Sequence, residues 1–335
     1  MNSPKRGLVL LFFSLILFEG CPPSYEASLA PPLWSIWLDS ASNQLYVGKG
    51  GSIFVFNDAS TANGNVSPAR VISTTGLTPQ TLWLDSASNQ LYVGSIYTNS
   101  ILVFTDASTV NGNVSPARVI STTGLATQSL WLDSASNQLY VGNIHSNSIL
   151  VFTDASMTNG SILPARIISG TMTESNLTFT LWSPTALWLD PASDQLYVGN
   201  VGGISTFRGI LVFTAASIAN GSVSPARVIS TTTGLSSQSL WLDPGSNQLY
   251  VSAGNGIAVY NDASTTNGNV SPARVIISTI TADSGPPVSL WLDSTSDQLY
   301  EACNSVSHKG KPYILVFDNA STINGYVTPS RTIYP

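Results

Sequence analysis

At 335 residues the chain is long enough for two domains. Charged residues make up only 9% of it, against roughly 25% in an ordinary globular protein, and the net charge is −6. No basic cluster is present to neutralise phosphates, which excludes nucleic acid as a partner, and the acids are spread evenly, as structural carboxylates are, rather than gathered into an interaction tail.

In chain order, Lys5 and Arg6 precede an apolar run over residues 7–18, followed by Glu19-Gly20-Cys21. Such a run is too short to cross a bilayer comfortably and has the flanks of a secretory signal. Gly20-Cys21 resembles the bacterial lipobox, with Phe18 standing where Leu is usual. The resemblance implies a signal over residues 1–20, lipid on Cys21, and an exported protein anchored in the bacterial envelope, in the periplasm or at the cell surface. Membrane contact is then through lipid alone; an ordinary cleaved signal and an uncleaved anchor are the alternatives. Residues 21–32 read as a Pro/Ser/Ala tether. With Cys21 lipidated, Cys303 is a lone thiol; without lipid, a Cys21–Cys303 bridge could pin the N-terminus near the end of the domain.

From Trp37 onward one phrase dominates. Trp-Leu-Asp-Ser-Ala-Ser-Asn-Gln-Leu-Tyr-Val-Gly begins there and returns, intact or lightly altered, at Trp83, Trp131, Trp188, Trp241 and Trp291. Spacings of 46, 48, 57, 53 and 50 residues, each holding several short strands, predict a β-propeller of six blades. Blades must stack to bury their faces, so residues 33–335 form one domain. The blades run over about 33–74, 79–122, 127–170, 184–231, 237–279 and 287–335.

The second repeat shows the pattern of one blade. Leu82-Trp83-Leu84-Asp85 is a strand, residues 86–89 a tight turn, and Gln90-Leu91-Tyr92-Val93 the next strand. Ile101-Leu102-Val103-Phe104 and Ala117-Arg118-Val119-Ile120 supply the third and fourth. Nine residues separate the Trp of strand one from the Tyr of strand two in every repeat, and fourteen separate the last aromatic of strand three from the Arg of strand four. The other two connections vary. Between strands two and three the steps are 5, 7, 7, 11, 5 and 12 residues, and from each Arg to the next Trp they are 13, 13, 22, 14 and 17. In a meander the constant connections emerge on one face and the variable ones on the other, and variable loops on a repeated scaffold are where binding concentrates.

The succession LWLD, NQLYVG, ILVF, PARVI resembles NHL-repeat and related six-bladed propellers of bacterial surface proteins, over roughly 300 of the 335 residues. The resemblance implies an all-β six-bladed propeller of four-stranded antiparallel blades. It implies an activity only weakly, because such propellers serve mostly as interaction platforms and in a minority as lyases or hydrolases.

The repeated residues each have a structural reading and a sharper one. The six Trp residues suggest inter-blade packing, or else an aromatic cage for sugars or cations. Asp39, Asp85, Asp133, Asp190, Asp243 and Asp293 suit Asx-type turns, or else a ring of metal-binding carboxylates. The Asp-Ala-Ser-x-x-Asn-Gly loops mimic calcium loops in oxygen spacing but lack a closing acid, and repeat four has Ala215 in place of Asp. Arg70, Arg118, Arg166, Arg227, Arg274 and Arg331 are expected to pair with Asp58, Asp106, Asp154, Asp262 and Asp318 across their own hairpins.

The expected function is a non-catalytic envelope scaffold presenting variable loops to an unidentified protein or glycan. The chain is expected to be monomeric, with no cofactor and no metal. Candidate binding residues on the longest variable loops are Glu174, Phe179, Trp182, Phe207, Arg208, His308, Lys309 and Lys311. The alternative is a propeller hydrolase or lyase with a small axial or blade-six site. Glu301 there takes the place of the strand-two Val, near Cys303 and His308. A purely structural product of repeat duplication is the third class.

Overall fold

The structure is a computed structural model describing residues 32–174, 177–202, 208–230, 235, 238–254, 256–280, 287–304 and 312–335; the side chains of residues 173–179 stand outside that description. It is a six-bladed β-propeller, with no helix among the described residues. Blade two is typical: Pro79–Asp85, Gln90–Ser95, Ser100–Thr105 and Arg118–Ser121 form an antiparallel meander from axis to rim. Cross-strand partners share a face. One face of this blade therefore carries the row Trp83, Tyr92, Val103, Arg118, and the other carries Leu82, Val93, Leu102, Val119. The same two rows recur in each blade, and alternation along each strand turns them toward opposite neighbours.

Close blade packing explains the Gly ending the repeated phrase. A Cβ on Gly94 would meet side-chain carbon of Thr127 at 2.5 Å and of Thr81 at 2.6 Å, and one on Gly142 would meet the Pro184 carbonyl oxygen at 2.5 Å. At these positions the next blade's inner strand leaves no room for a side chain, whereas blades five and six accommodate Ser252 and Ala302 there.

A fifth strand, not predicted, completes each sheet. Gly112–Asn113, from the loop between strands three and four of blade two, pairs in parallel with Arg70–Ser73 of blade one. Every blade receives such a short strand from its successor, two residues long except for the three-residue Gly325–Val327 paired with blade five, and blade six receives Gly64–Asn65 from blade one. It blunts an outer edge that would otherwise be open to foreign strands. The Asn-Gly pair makes the shape: Gly112 lies at φ 88°, and Asn111 Oδ1 accepts the Val71 N–H at 2.9 Å.

The same loops take the arginines, which corrects the expected pairing with Asp. Arg70 Nη1 donates across the seam to the carbonyls of Ala107 (2.9 Å) and Val110 (2.8 Å), while Nη2 donates to Gln44 Oε1 (2.9 Å) and Tyr46 Oη (3.4 Å) in its own blade. Arg118, Arg166, Arg227, Arg274 and Arg331 make the equivalent four bonds. Each guanidinium also lies 5.6–5.9 Å from the centre of its blade's Tyr ring. The loop that mimics a calcium site does collect carbonyls around a cation, but the cation is the neighbouring blade's guanidinium.

The seam between blades six and one closes like the rest. More than face packing holds it: Ile333 and Tyr334 pair with Gly64 and Asn65, and Arg331 donates to Ala59 and Ala62. Leu33 N donates to Asn304 Oδ1 at 2.8 Å, and Asn304 Nδ2 returns a bond to Leu33 O at 2.9 Å. The four long strands of blade six are its own, and residues 22–31 lie outside the described residues.

One clasp loop is strained. At the position where Asp58, Asp106, Asp154, Asp262 and Asn319 hold φ of 51–57°, blade four has Ala215 at 52°. Asp and Asn tolerate this left-handed conformation through local hydrogen bonding, whereas alanine does not. Ala215→Asn is expected to stabilise the propeller by about 1 kcal/mol in urea unfolding. No gain would mean that the loop relaxes around alanine without cost.

Candidate functional site

The axis is filled by tryptophan. Trp37, Trp83, Trp131, Trp188, Trp241 and Trp291 form a closed ring, with neighbouring centroids 4.1–4.3 Å apart and planes inclined by 55–62°. An inclination of one-sixth of a turn requires the indole planes to run parallel to the propeller axis. A hexagon of that side has its corners the same distance from its centre, so the rings plug the channel. The buried Nε1 atoms of Trp131, Trp188 and Trp291 have no hydrogen-bond partner among the described residues, and the edge-to-face stacking offers such N–H groups the neighbouring π face. The ring faces are spent on one another. This is inter-blade packing, not an open cage.

On the face with constant connections, the Asp and Asn side chains of the 1–2 turns are consumed internally. Asp85 Oδ2 accepts the Ser88 hydroxyl at 2.5 Å, and Asp133 Oδ1 accepts the Ala135 N–H at 3.1 Å, the Asx-turn geometry repeated around the ring. Asn89, at φ 55°, accepts the Ser108 N–H at 2.8 Å and so locks the 1–2 turn to the 3–4 loop. Equivalent bonds reach Asn43, Asn137, Asp194, Asn247 and Asp297. Among the described residues, no three His, Cys, Asp or Glu side chains gather as a metal cluster.

The opposite face is built differently. Between blades three and four, Thr171–Glu174 and Leu177–Thr180 form a hairpin of their own, pairing Met172 with Phe179 and Glu174 with Leu177. Its base is held where Leu181 N donates to Gly170 O at 2.9 Å. The candidates Glu174 and Phe179 belong to this hairpin, with side chains outside the described atoms. Trp182 follows it, 44% exposed, its N–H held by Asn200 Oδ1 at 2.7 Å. Arg208 is exposed at the end of the blade-four loop, while Phe207, His308, Lys309 and Lys311 lie outside the described residues. The hairpin places Trp182 next to blade three's own loop, because Ser183 N donates to Asn147 Oδ1 at 2.9 Å. Two rings not chosen from the sequence share this face: Tyr97, 84% exposed at the tip of the blade-two loop, and His145, exposed at the matching tip in blade three. Their signal was available, since both stand in variable loops at the same position of adjacent repeats.

The small site suggested in blade six is a sealed pair. The Cys303 thiol donates to Glu301 Oε1 at 3.3 Å, and both residues are buried. Glu301 occupies a row that is otherwise Leu290, Leu315 and Thr332, in the apolar seam facing blade five. Burial raises its pKa to about 7, with the thiol's hydrogen bond acting in the opposite direction. Burial, and then the neighbouring carboxylate, push the Cys303 thiol well up. Cys303 is free, and Cys21 lies outside the described residues. As packed, neither group reaches solvent.

Comparison with known proteins supplies a fold and no family. No family model matches the chain, and no curated protein matches it. Among solved structures, the hydrazine synthase of Kuenenia stuttgartiensis is similar with a TM-score of 0.58 at 15% identity, over 90% of this chain and 80% of that one. A chain of the mitotic checkpoint complex is similar with a TM-score of 0.53 at 16% identity, over 81% of this chain and 74% of that one. An enzyme and a checkpoint-complex protein share this architecture, so the likeness carries the propeller fold alone.

Proposed function

We propose that the protein is a non-catalytic scaffold of the cell envelope that binds a partner on its irregular face. One contrast carries the reading. The carboxylates and amides of the 1–2 turns on the regular face are spent on those turns and on the 3–4 loops, whereas the other face presents loops of unequal length with exposed Tyr97, His145, Trp182 and Arg208. Exposed aromatics beside arginine are the residues that carry binding energy at interfaces. The double variant Trp182→Ala, Arg208→Ala should weaken partner capture from envelope extract roughly tenfold, about 1.4 kcal/mol, with thermal unfolding unchanged. Undiminished capture by the double variant would defeat the reading.

The envelope address is the second part of the proposal and rests on the segment ending in Cys21. A diacylglyceryl group on that cysteine is expected in the intact mass of the protein from its native host, together with fractionation into membranes. An unlipidated N-terminus in that spectrum removes the anchor and leaves the propeller reading untouched.

A further inference from the structure

The irregular face has an unusual composition. Seven large hydrophobic residues are exposed among the described ones: Tyr97, Met157, Leu163, Ile167, Trp182, Ile218 and Tyr326. Met157 and Ile218 lie in clasp loops on the regular face, and Leu163, Ile167 and Tyr326 lie on the rim. The irregular face keeps only aromatic ones, Tyr97 and Trp182, with the His145 ring between them in chain order. Around these rings, residues 73–79, 95–100, 121–127, 143–148 and 181–184 contain no Asp, Glu, Lys or Arg; apart from the rings they are mostly Ser, Thr and Asn.

The rings stand on fixed backbone. Asn99 and Asn147 hold φ of 49° and 50° at matching positions in the two loops. Asn147 ties the His145 loop to the Trp182 turn through Ser183, and Asn143 Oδ1 accepts the N–H groups of Ala126 (2.8 Å) and His145 (3.3 Å). In the amide orientation that satisfies both its atoms, Asn99 donates to Leu125 O at 2.9 Å and ties the Tyr97 loop to the connection entering blade three. Binding to such a surface costs little ordering of the protein.

We propose that the rings of Tyr97, His145 and Trp182 form a platform for an uncharged oligosaccharide. The inference rests on reading the irregular face as the binding face. Aromatic faces carry the negative lobe of the ring quadrupole and take the polarised C–H groups of a sugar ring. Surrounding hydroxyls and amides match sugar hydroxyls, and an uncharged surface is complementary to an uncharged ligand. Aromatic rings set among hydroxyls and amides, with no charged residue in these five segments, favour such a ligand over a charged one.

The test is affinity electrophoresis of the purified full chain through gels containing a neutral glucan, a xylan or a galactomannan, with acidic polygalacturonate alongside. Retardation is expected in at least one neutral gel. Tyr97→Ala and Trp182→Ala should each weaken it roughly tenfold, Tyr97→Phe should keep it, and Leu163→Ser on the rim should leave it unchanged, with thermal unfolding of each variant compared. Retardation by polygalacturonate alone, by no polysaccharide, or equally in Tyr97→Ala overturns the inference. If no polysaccharide retards the chain but partner capture still depends on Trp182 and Arg208, the sugar inference fails and the scaffold stands. If that capture is also undiminished in the double variant, both fail.

Discussion

Glu301→Val is expected to stabilise the propeller at pH 8 by about 3 kcal/mol. The other five blades carry Val47, Val93, Val141, Val198 and Val251 at this position, all fully buried, so valine fits the seam. Glu301 is itself buried, and its pKa is raised from 4.5 to about 7. A carboxyl whose folded pKa lies above its unfolded value binds its proton more tightly in the native state. Its neutral form is accommodated fully below pH 4.5, and stability is lost as pH rises from there through 7. At 1.36 kcal/mol per unit, the loss above pH 7 comes to about 3 kcal/mol. The difference between wild type and Glu301→Val, from urea unfolding at a series of pH values, should therefore grow between pH 4.5 and 7.5 and then level off. Glu301→Gln should remove the same pH dependence while keeping a polar group beside Cys303. A difference constant from pH 4 to 8 would show that Glu301 has the same pKa folded and unfolded, so that burial in the seam does not raise it.

Much of the architecture could be read from residues, and the exceptions have a common cause. Alternation of Trp, Leu and Asp, or of Leu, Tyr and Val, identifies strands because each blade buries both faces against neighbours. The equal spacing from Trp to Tyr identifies the tight turn that Asp and Ser close. By contrast, Gly112–Asn113 is too short to have a period, and its partner strand belongs to another blade. The arginine clasp was misassigned for the same reason. The constant fourteen-residue spacing pointed to a pair within the hairpin, whereas the acceptors are backbone carbonyls of the next blade, which sequence does not mark. Face asymmetry followed from loop lengths. Which rings of that face stand clear of the protein depends on how each loop folds back, as Tyr97 and His145 do on their blades, and loop length does not encode it. Glu301 was visible as a break in the pattern, but the depth of its burial was not.

Arg331→Ala is expected to cost about 3 kcal/mol or more, the largest destabilisation from a single arginine change at the closing seam. Arg331 donates to Ala59 O (2.7 Å) and Ala62 O (3.0 Å) of blade one, and to Gln298 Oε1 (3.0 Å) and Tyr300 Oη (3.3 Å) of its own blade. Removing a partner of a charge-assisted hydrogen bond costs about 1.5–3 kcal/mol, and here several are lost together, partly offset because the arginine is only half-buried. Tyr300, whose hydroxyl also reaches Ala59 O (3.4 Å), keeps that bond and limits the loss. Arg331→Lys should recover little, since an ammonium is a point donor that cannot fork between two carbonyls and two side chains. Arg118→Ala, at the seam of blades two and three, makes the decisive comparison. Because both seams hold the same clasp and the same two-residue parallel pairing, the two alanine variants should lose similar stability in urea unfolding, with unchanged cooperativity. A much larger loss for Arg331 would show that the last seam depends on its clasp more than the others do. A much smaller one would mean that Leu33 and Asn304 already hold the ring shut.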